Sequence, residues 1–185
     1  MRSDDSRRLS SAFAGAPNYG LITRRRCIWR ALVLKELNRF EEALADNVRA
    51  IELDPANADS CNNMGTILGE LGRIGEALSW YNRSLKIRPD VARTVTNRAG
   101  ALAQLSRFDE AMAGYRRAVA IDPDRVEAAW NLALLQLLTG DFEAGWRGRG
   151  ALEKSGAGEG VSETVWTDVA RKTGCRREDG RRLLR

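Results

Sequence analysis

A 34-residue repeat runs through most of this 185-residue chain. Three of its four prolines, Pro55, Pro89 and Pro123, stand 34 residues apart. Two series of small residues and one of mainly aromatic residues keep the same step. A fixed period of about 20 to 50 residues indicates stacked supersecondary units that bury their apolar faces against one another. The three series are Ala31, Gly65, Ala99 and Ala133; Ala43, Ala77, Ala111 and Gly145; and Phe40, Ile74, Phe108 and Phe142.

The pattern within each unit predicts two antiparallel helices separated by a short polar break. Small residues on both helices allow their backbones to approach closely. A proline follows the second helix in three units, and proline cannot continue a helix and disfavours the helical conformation of the residue before it. The sequence therefore predicts an all-α chain of helix pairs. The breaks lie at residues 37–39, 71–73, 105–107 and 139–141.

The spacing and residue types together resemble a known family. The small residues, the prolines and the tyrosines Tyr81 and Tyr115 are similar to the tetratricopeptide repeat, TPR, over about residues 24–153. The resemblance implies a TPR α-solenoid, a right-handed superhelix of antiparallel helix pairs, with about four repeats. Those repeats are predicted at 24–57, 58–91, 92–125 and 126–153.

The first and fourth units depart from the family pattern. In the first, Asn47 stands where Tyr or Phe is usual and Arg30 stands where Leu is usual. In the fourth, Arg149 occupies the aromatic position and no proline follows. We therefore expect the second helix of the fourth unit to be short, and we expect the exposed end of this irregular unit to be covered by the C-terminal tail, by a partner or by self-association.

A row of asparagines is the main candidate binding feature. Asn63, Asn97 and Asn131 each stand two residues before the small residue of a first helix. A side-chain amide both donates and accepts hydrogen bonds, so such a row can bind the backbone of an extended peptide in a concave groove. The row resembles that in the TPR superhelix of O-linked N-acetylglucosamine transferase. Further residues predicted to face or rim the groove are Asp59, Asn62, Thr66, Arg93, Thr96, Gly100, Glu127 and Trp130.

Alternative roles for several of these residues stay open in the sequence. The asparagines are equally compatible with hydrogen bonds to an adjacent helix. Trp29, Trp80 and Trp146 are interpreted as packing residues, with groove anchors as the alternative. A carboxylate clamp like that of TPR cochaperones needs Lys and Arg grouped beside Asn, and only Arg93 matches.

Two functions are compatible with these features. The favoured one is a scaffold or adaptor that binds an extended segment of a protein partner. The alternative starts from residues 131–146, which look like the last repeat of bacterial TPR proteins in which a glycosyltransferase-like domain follows. On that view the chain is the substrate-recognition module of a truncated or split O-GlcNAc transferase-like enzyme. About forty residues follow, fewer than the roughly 100 to 200 of a typical domain, so no catalytic domain is expected in this chain.

The residue inventory excludes several kinds of chemistry. The chain has no histidine, which removes His-based metal sites and every Ser-His or Cys-His catalytic arrangement. Its three cysteines are odd in number and form no C-x-x-C pair, which argues against a disulfide framework. Cys27 and Cys61 occupy the same repeat position and are predicted to be core thiols. Neither a cofactor nor a metal is expected.

The net charge of +5 lies in the chain ends. Residues 1–26 carry six arginines against two aspartates, and residues 147–185 carry ten basic against six acidic residues. Residues 27–146 hold fourteen basic and seventeen acidic residues. The repeats thus lack the basic excess of a nucleic-acid binder, and no stretch approaches the roughly 20 apolar residues of a membrane span. We expect a cytoplasmic protein that binds neither nucleic acid nor a membrane. Its predicted ends are a basic N-terminal extension, 1–23, and a flexible basic tail, 154–185, with a short helix over 161–172.

Overall fold

The computed structural model describes residues 19–154, which form eight α-helices and no strand. Each predicted repeat corresponds to one helix pair, so the all-α TPR-type fold is confirmed for this part of the chain. The predicted helix over 161–172 lies outside the described residues. The helices are α1 Tyr19–Glu36, α2 Phe40–Leu53, α3 Ala58–Glu70, α4 Ile74–Ile87, α5 Ala92–Gln104, α6 Phe108–Ile121, α7 Val126–Leu138 and α8 Phe142–Lys154.

The break inside each helix pair is a tight turn with a left-handed residue at its centre. The φ angles are 57° at Asn38, 73° at Gly72, 59° at Ser106 and 92° at Gly140. In all four turns the next backbone N–H donates a 2.9 Å hydrogen bond to the carbonyl five residues earlier. This bond closes the end of the first helix and reverses the chain. The polar breaks in the sequence are therefore helix-terminating turns.

The chain divides into two compact units between Asp90 and Val91. In the first unit α1 packs on α2, α2 on α3 and α3 on α4, and α1 also contacts α3. In the second unit α5 to α8 make the same set of contacts, with α5 touching α7. Within each unit, therefore, the two first helices of successive repeats lie next to each other.

The small residues of the repeat lie where two helices approach most closely. A Cβ atom built on Gly65 would come within 2.6 Å of Cε1 of Tyr81, and one built on Gly145 within 2.6 Å of Cγ of Leu137. A side chain larger than hydrogen at either position would collide with a neighbouring helix. The expected role of small residues in close packing is confirmed at these two contacts.

The second helix of the fourth unit is not short, which corrects the expectation from its sequence. Helix α8 has 13 residues, close to the 14 of α2, α4 and α6. Its glycines lower helix propensity, but Gly145 and Gly148 bring α8 against Leu137 and Ala133 of α7. Packing therefore offsets the weak local preference.

Each unit has an apolar cluster where first and second helices meet. In the first unit Ala31, Leu34, Ala43 and Ile67 are buried together, and in the second Trp130 and Leu137 form the buried centre. Partly buried residues surround these centres: Phe40, Leu44 and Leu71 in the first unit, and Leu134, Phe142 and Trp146 in the second. The packing role predicted for Trp146 is thus confirmed.

Trp29 does not pack in the core, and this corrects its interpretation as a packing residue. Its side chain is 64% exposed on α1. Both cysteines of the described residues are free thiols, with Cys61 fully buried and Cys27 half-buried. Burial raises the pKa of the Cys61 thiol. None of the described helices is long and apolar enough to cross a membrane.

Candidate functional site

The residues that are predicted to bind a peptide recur on the same face of three first helices. On α3 they are spaced at i, i+3, i+4 and i+7, and the same spacing recurs on α5 and, without the last position, on α7. Residues at these intervals lie on one side of an α-helix. We call this set the first-helix face. Its members are Asp59, Asn62, Asn63 and Thr66; Arg93, Thr96, Asn97 and Gly100; and Glu127, Trp130 and Asn131.

The i+3 members of the first-helix face point into the protein. Asn62, Thr96 and Trp130 are all buried. The Thr96 hydroxyl donates to the carbonyl of Ala92 at 2.9 Å, within its own helix. Trp130 belongs to the apolar cluster of the second unit. These three positions, together with Asn63, form the buried part of the face, and the remaining positions are partly or fully accessible.

The asparagine row lies at the boundary between core and solvent. Asn63 is 9% exposed, whereas Asn97 and Asn131 are half-buried. Asn97 has an interaction partner within the fold. No hydrogen bond from another described residue engages the side-chain amide of Asn63 or Asn131. Their donors and acceptors are thus not used by the described part of the protein.

The first position of the face carries a charge on every helix. Asp59 forms an ion pair with Arg88 at 2.6 Å, and Glu127 lies 3.5 Å from the guanidinium of Arg125. Arg93 on α5 is exposed. In the second unit, where α5 and α7 are in contact, a basic and an acidic side chain therefore flank the asparagines. The accessible part of the face is polar and of mixed charge.

Two tyrosines of the second helices support the face from below. The Tyr81 hydroxyl donates to the hydroxyl oxygen of Thr66 at 3.5 Å. A Cβ atom on Gly100 would lie 3.5 Å from the hydroxyl oxygen of Tyr115. Burial, with a smaller contribution from Glu127, raises the pKa of Tyr115 to about 12. Both phenols therefore stay neutral near pH 7 and reach from the core to the i+7 position.

The first unit replaces the usual aromatic residue with a polar contact. Asn47 is fully buried on α2, and its amide donates to the backbone carbonyl of Ser60 on α3 at 2.8 Å. Arg30, at a position where Leu is usual, pairs with Asp46. The departures noted in the sequence are thus polar links between helices, one buried at Asn47 and one at the surface at Arg30.

Sequence reasoning missed two features of the surface. It named Tyr81 and Tyr115 only as part of the family pattern and did not predict that their hydroxyls reach the first-helix face. It singled out Trp29 but not the other exposed apolar side chains of α1, which include Ile22 and Val33. Their i, i+7 and i+11 spacing was a usable signal, because it places all three on one side of a helix.

Comparison with family models agrees with the geometry. A tetratricopeptide repeat model matches residues 25–57 and 58–91, and a TPR repeat model matches residues 99–140. Together the matches cover more than half of the chain and lie within the segment that forms α1 to α7. The chain belongs to the tetratricopeptide repeat family. No curated protein sequence matches it.

Solved structures with the same fold have low sequence identity to this chain. MamA from Desulfovibrio magneticus RS-1 superposes with a TM-score of 0.66 at 14% identity, over 75% of this chain and 78% of that one. YrrB, described as a TPR protein with an unusual peptide-binding site, gives 0.64 at 19%, over 82% and 78%. The first TPR of Spaghetti, bound to an HSP90 peptide, gives 0.61 at 18%, over 63% and 93%. None of these comparisons supports a likeness to O-GlcNAc transferase.

Proposed function

We propose that this chain is a non-catalytic protein-interaction module whose first-helix face binds an extended segment of a partner protein. The observation that carries the proposal is the pair Asn97 and Asn131 on the neighbouring helices α5 and α7. They recur at the repeat step and are half-buried, and Arg93 and Glu127 lie on the same two faces.

An asparagine row suits recognition of a peptide backbone. A backbone peptide group offers one N–H and one C=O, and a side-chain amide complements both. An amide fixed on a helix has already lost much of its freedom, so less entropy is lost on binding. The charged residues at the first positions add a preference for peptides with complementary charges. Partly accessible amides in a polar face of this kind favour an extended polypeptide over an apolar small molecule.

Two of the similar structures are consistent with this proposal. The Spaghetti repeat is bound to a peptide and YrrB is described as having a peptide-binding site. The family matches contain repeats only. We therefore propose the adaptor role, and these matches give no support to the glycosyltransferase alternative.

The test removes the two amides of the second unit. Proteins captured from a native cytosol by the wild-type chain are mapped on arrays of overlapping peptides, and the affinity of the best peptide is measured. The double change Asn97→Ala and Asn131→Ala should weaken binding by roughly 5- to 150-fold, because each lost amide contact contributes about 0.5–1.5 kcal/mol.

The matched control is Asn82→Ala, which removes an exposed asparagine from the second helix α4. It should bind like the wild type. All variants must show wild-type helicity and melting temperature. If the double variant is folded and binds with unchanged affinity, the asparagines do not contact the peptide and the proposal fails.

A further inference from the structure

The four positions of the first-helix face on α3 have counterparts on α1, one repeat step earlier. A tryptophan stands there in place of the asparagine of the row, and an arginine stands at the charged first position. Helices α1 and α3 are in contact within the first unit, so these counterparts lie on the helix next to α3. They are Arg25, Ile28, Trp29 and Leu32.

The indole of Trp29 is accessible on α1. Its side chain is 64% exposed, whereas Asn63 at the same position of the next repeat is 9% exposed, and Asn97 and Asn131 are half-buried. The most apolar member of this series is therefore also the most exposed. A tryptophan that packs against a partner buries about 150–250 Å², and tryptophan is enriched among the residues that dominate binding energy at interfaces.

Two exposed arginines flank Trp29. Successive residues turn by about 100° around a helix, so Arg25 lies about 40° to one side of Trp29 and Arg26 about 60° to the other side. Neither arginine forms an ion pair with another described residue, in contrast to Arg24 and Arg30, which pair with aspartates. The indole is thus bordered by positive charge that the described part of the protein does not neutralise.

We propose that Trp29 anchors a large apolar side chain of an extended partner segment, and that Arg25 and Arg26 bind acidic residues beside that side chain. This inference rests on the proposed function, because it assigns the ligand chemistry of the first unit at the same kind of face. An asparagine amide matches the backbone of any peptide, whereas an indole selects for an apolar side chain. The first unit therefore adds a sequence preference to peptide binding.

Charge favours an acidic partner over another part of this chain or a second copy. Residues 1–18 carry three arginines against two aspartates, and residues 147–185 carry ten basic against six acidic residues, so charge does not draw either end to the two arginines. A symmetric contact of two copies centred on Trp29 brings Arg25 and Arg26 of both copies into one small area, where like charges repel. An acidic segment has the complementary charge, which also speeds association.

The first experiment measures the binding of three synthetic peptides to the full-length chain by fluorescence anisotropy. The probe is a short acidic peptide with a central phenylalanine. The second peptide has alanine in place of the phenylalanine, and the third has asparagine and glutamine in place of the acidic residues. The wild type should bind the probe at least about tenfold more tightly than either of the other two peptides.

Variants of Trp29 test the anchor. Trp29→Ala should weaken binding of the probe by about 5- to 30-fold, the effect of truncating an anchor residue, whereas Trp29→Phe should retain most of the affinity. The matched control is Val48→Ala, which removes an apolar side chain that is 41% exposed on α2. The control should bind the probe within about twofold of the wild type.

A charge change tests the arginines. Arg25→Gln is compared with Arg49→Gln, which removes the same charge from an exposed position on α2. Arg25→Gln should weaken binding of the acidic probe and make it less sensitive to salt, because salt screens the charge contact that the variant lacks. Its affinity for the uncharged peptide should stay that of the wild type. Equal effects of the two variants on the probe would overturn the role assigned to Arg25.

Three results would overturn the anchor. One is a wild type that binds the probe no better than the alanine peptide, and another is a folded Trp29→Ala variant that binds the probe like the wild type. The third is a wild-type dimer that Trp29→Ala converts to a monomer, which means that a second copy covers the indole. Asn97 and Asn131 lie in the other compact unit. Any of these results together with weakened peptide binding by the Asn97→Ala and Asn131→Ala variant leaves the proposed function standing.

Discussion

Gly65 and Gly100 occupy similar places on first helices but have different room for a side chain. A Cβ atom on Gly65 would meet the buried ring of Tyr81 at 2.6 Å, whereas one on Gly100 would meet the hydroxyl of Tyr115 at an ordinary 3.5 Å. Gly65→Ala should therefore lower the free energy of unfolding by about 1–3 kcal/mol through overpacking. Gly100→Ala should be neutral or stabilise by up to about 1 kcal/mol through helix propensity.

Urea unfolding of Gly65→Ala, Gly100→Ala and the wild type measures these two predicted changes in stability. Gly69→Ala is the control for propensity alone, because a Cβ atom there meets nothing within 4 Å. Equal stability of the Gly65 and Gly69 variants would show that the Tyr81 ring moves aside without cost.

The sequence predicted which residues share a face, but not how deeply each is buried. The spacing of Arg93, Thr96 and Asn97 places all three on one side of α5. Whether a member of that face reaches solvent depends on neighbouring helices, and Thr96 is buried while Arg93 is exposed. The 34-residue spacing does not predict burial, because buried and exposed positions of the unit recur with the same spacing.

At the scale of a single helix, α3 has a side-chain N-cap, as does α8, where Asp141 accepts from the backbone N–H of Ala144 at 3.2 Å. The Asn57 side chain accepts a hydrogen bond from the backbone N–H of Ser60 at 2.8 Å. No capping side chain bonds at the start of α2, α4, α5, α6 or α7. Since α3 contacts three other helices of its unit, its cap should matter for the whole unit.

Asn57→Ala should lower the free energy of unfolding by about 1 kcal/mol, because one backbone donor of the first turn loses its partner. Asn57→Ser keeps an oxygen acceptor at the N-cap and should retain most of the stability. Chemical unfolding followed by circular dichroism measures both. An alanine variant as stable as the serine variant would mean that the hydrogen bond from Ser60 adds no net stability.

Helix α8 shows the limit of reasoning from a family pattern at the element scale. Its sequence lacks the aromatic residue and the following proline, yet it forms 13 residues of helix. Arg149, in the aromatic position, lies over the ring of Trp146 at 5.1 Å from its centre. The close glycine contacts with α7 supply the remaining packing. Tertiary contacts therefore override a weak local signal.

At the scale of the whole molecule, the buried tyrosines link stability to alkaline pH. The pKa of Tyr115 is raised to about 12, chiefly by burial, while an unfolded tyrosine has a pKa of about 10. Between these values the unfolded chain binds fewer protons than the folded chain, so stability falls as pH rises. Full ionisation of the unfolded phenol corresponds to a loss of about 2–3 kcal/mol by pH 12.

Tyr115→Phe should flatten this decline, because the variant has no phenol to ionise at that position. The measurement is the free energy of unfolding between about pH 9 and 12 for both proteins. Tyr81, whose pKa burial also raises, should leave a residual slope. An identical decline in the wild type and the variant would mean that Tyr115 ionises freely in the folded protein.

The sequence by itself determined the helix pairs, their limits to within a few residues and the set of residues that share each first-helix face. These follow from local rules: small residues, prolines and polar breaks recur every 34 residues. Only the tertiary structure decided which members of a face are buried, that α8 extends through its glycines, and that Trp29 is exposed. Those outcomes depend on what lies next to each helix, and a repeating sequence does not encode that for the helix at the start of the array.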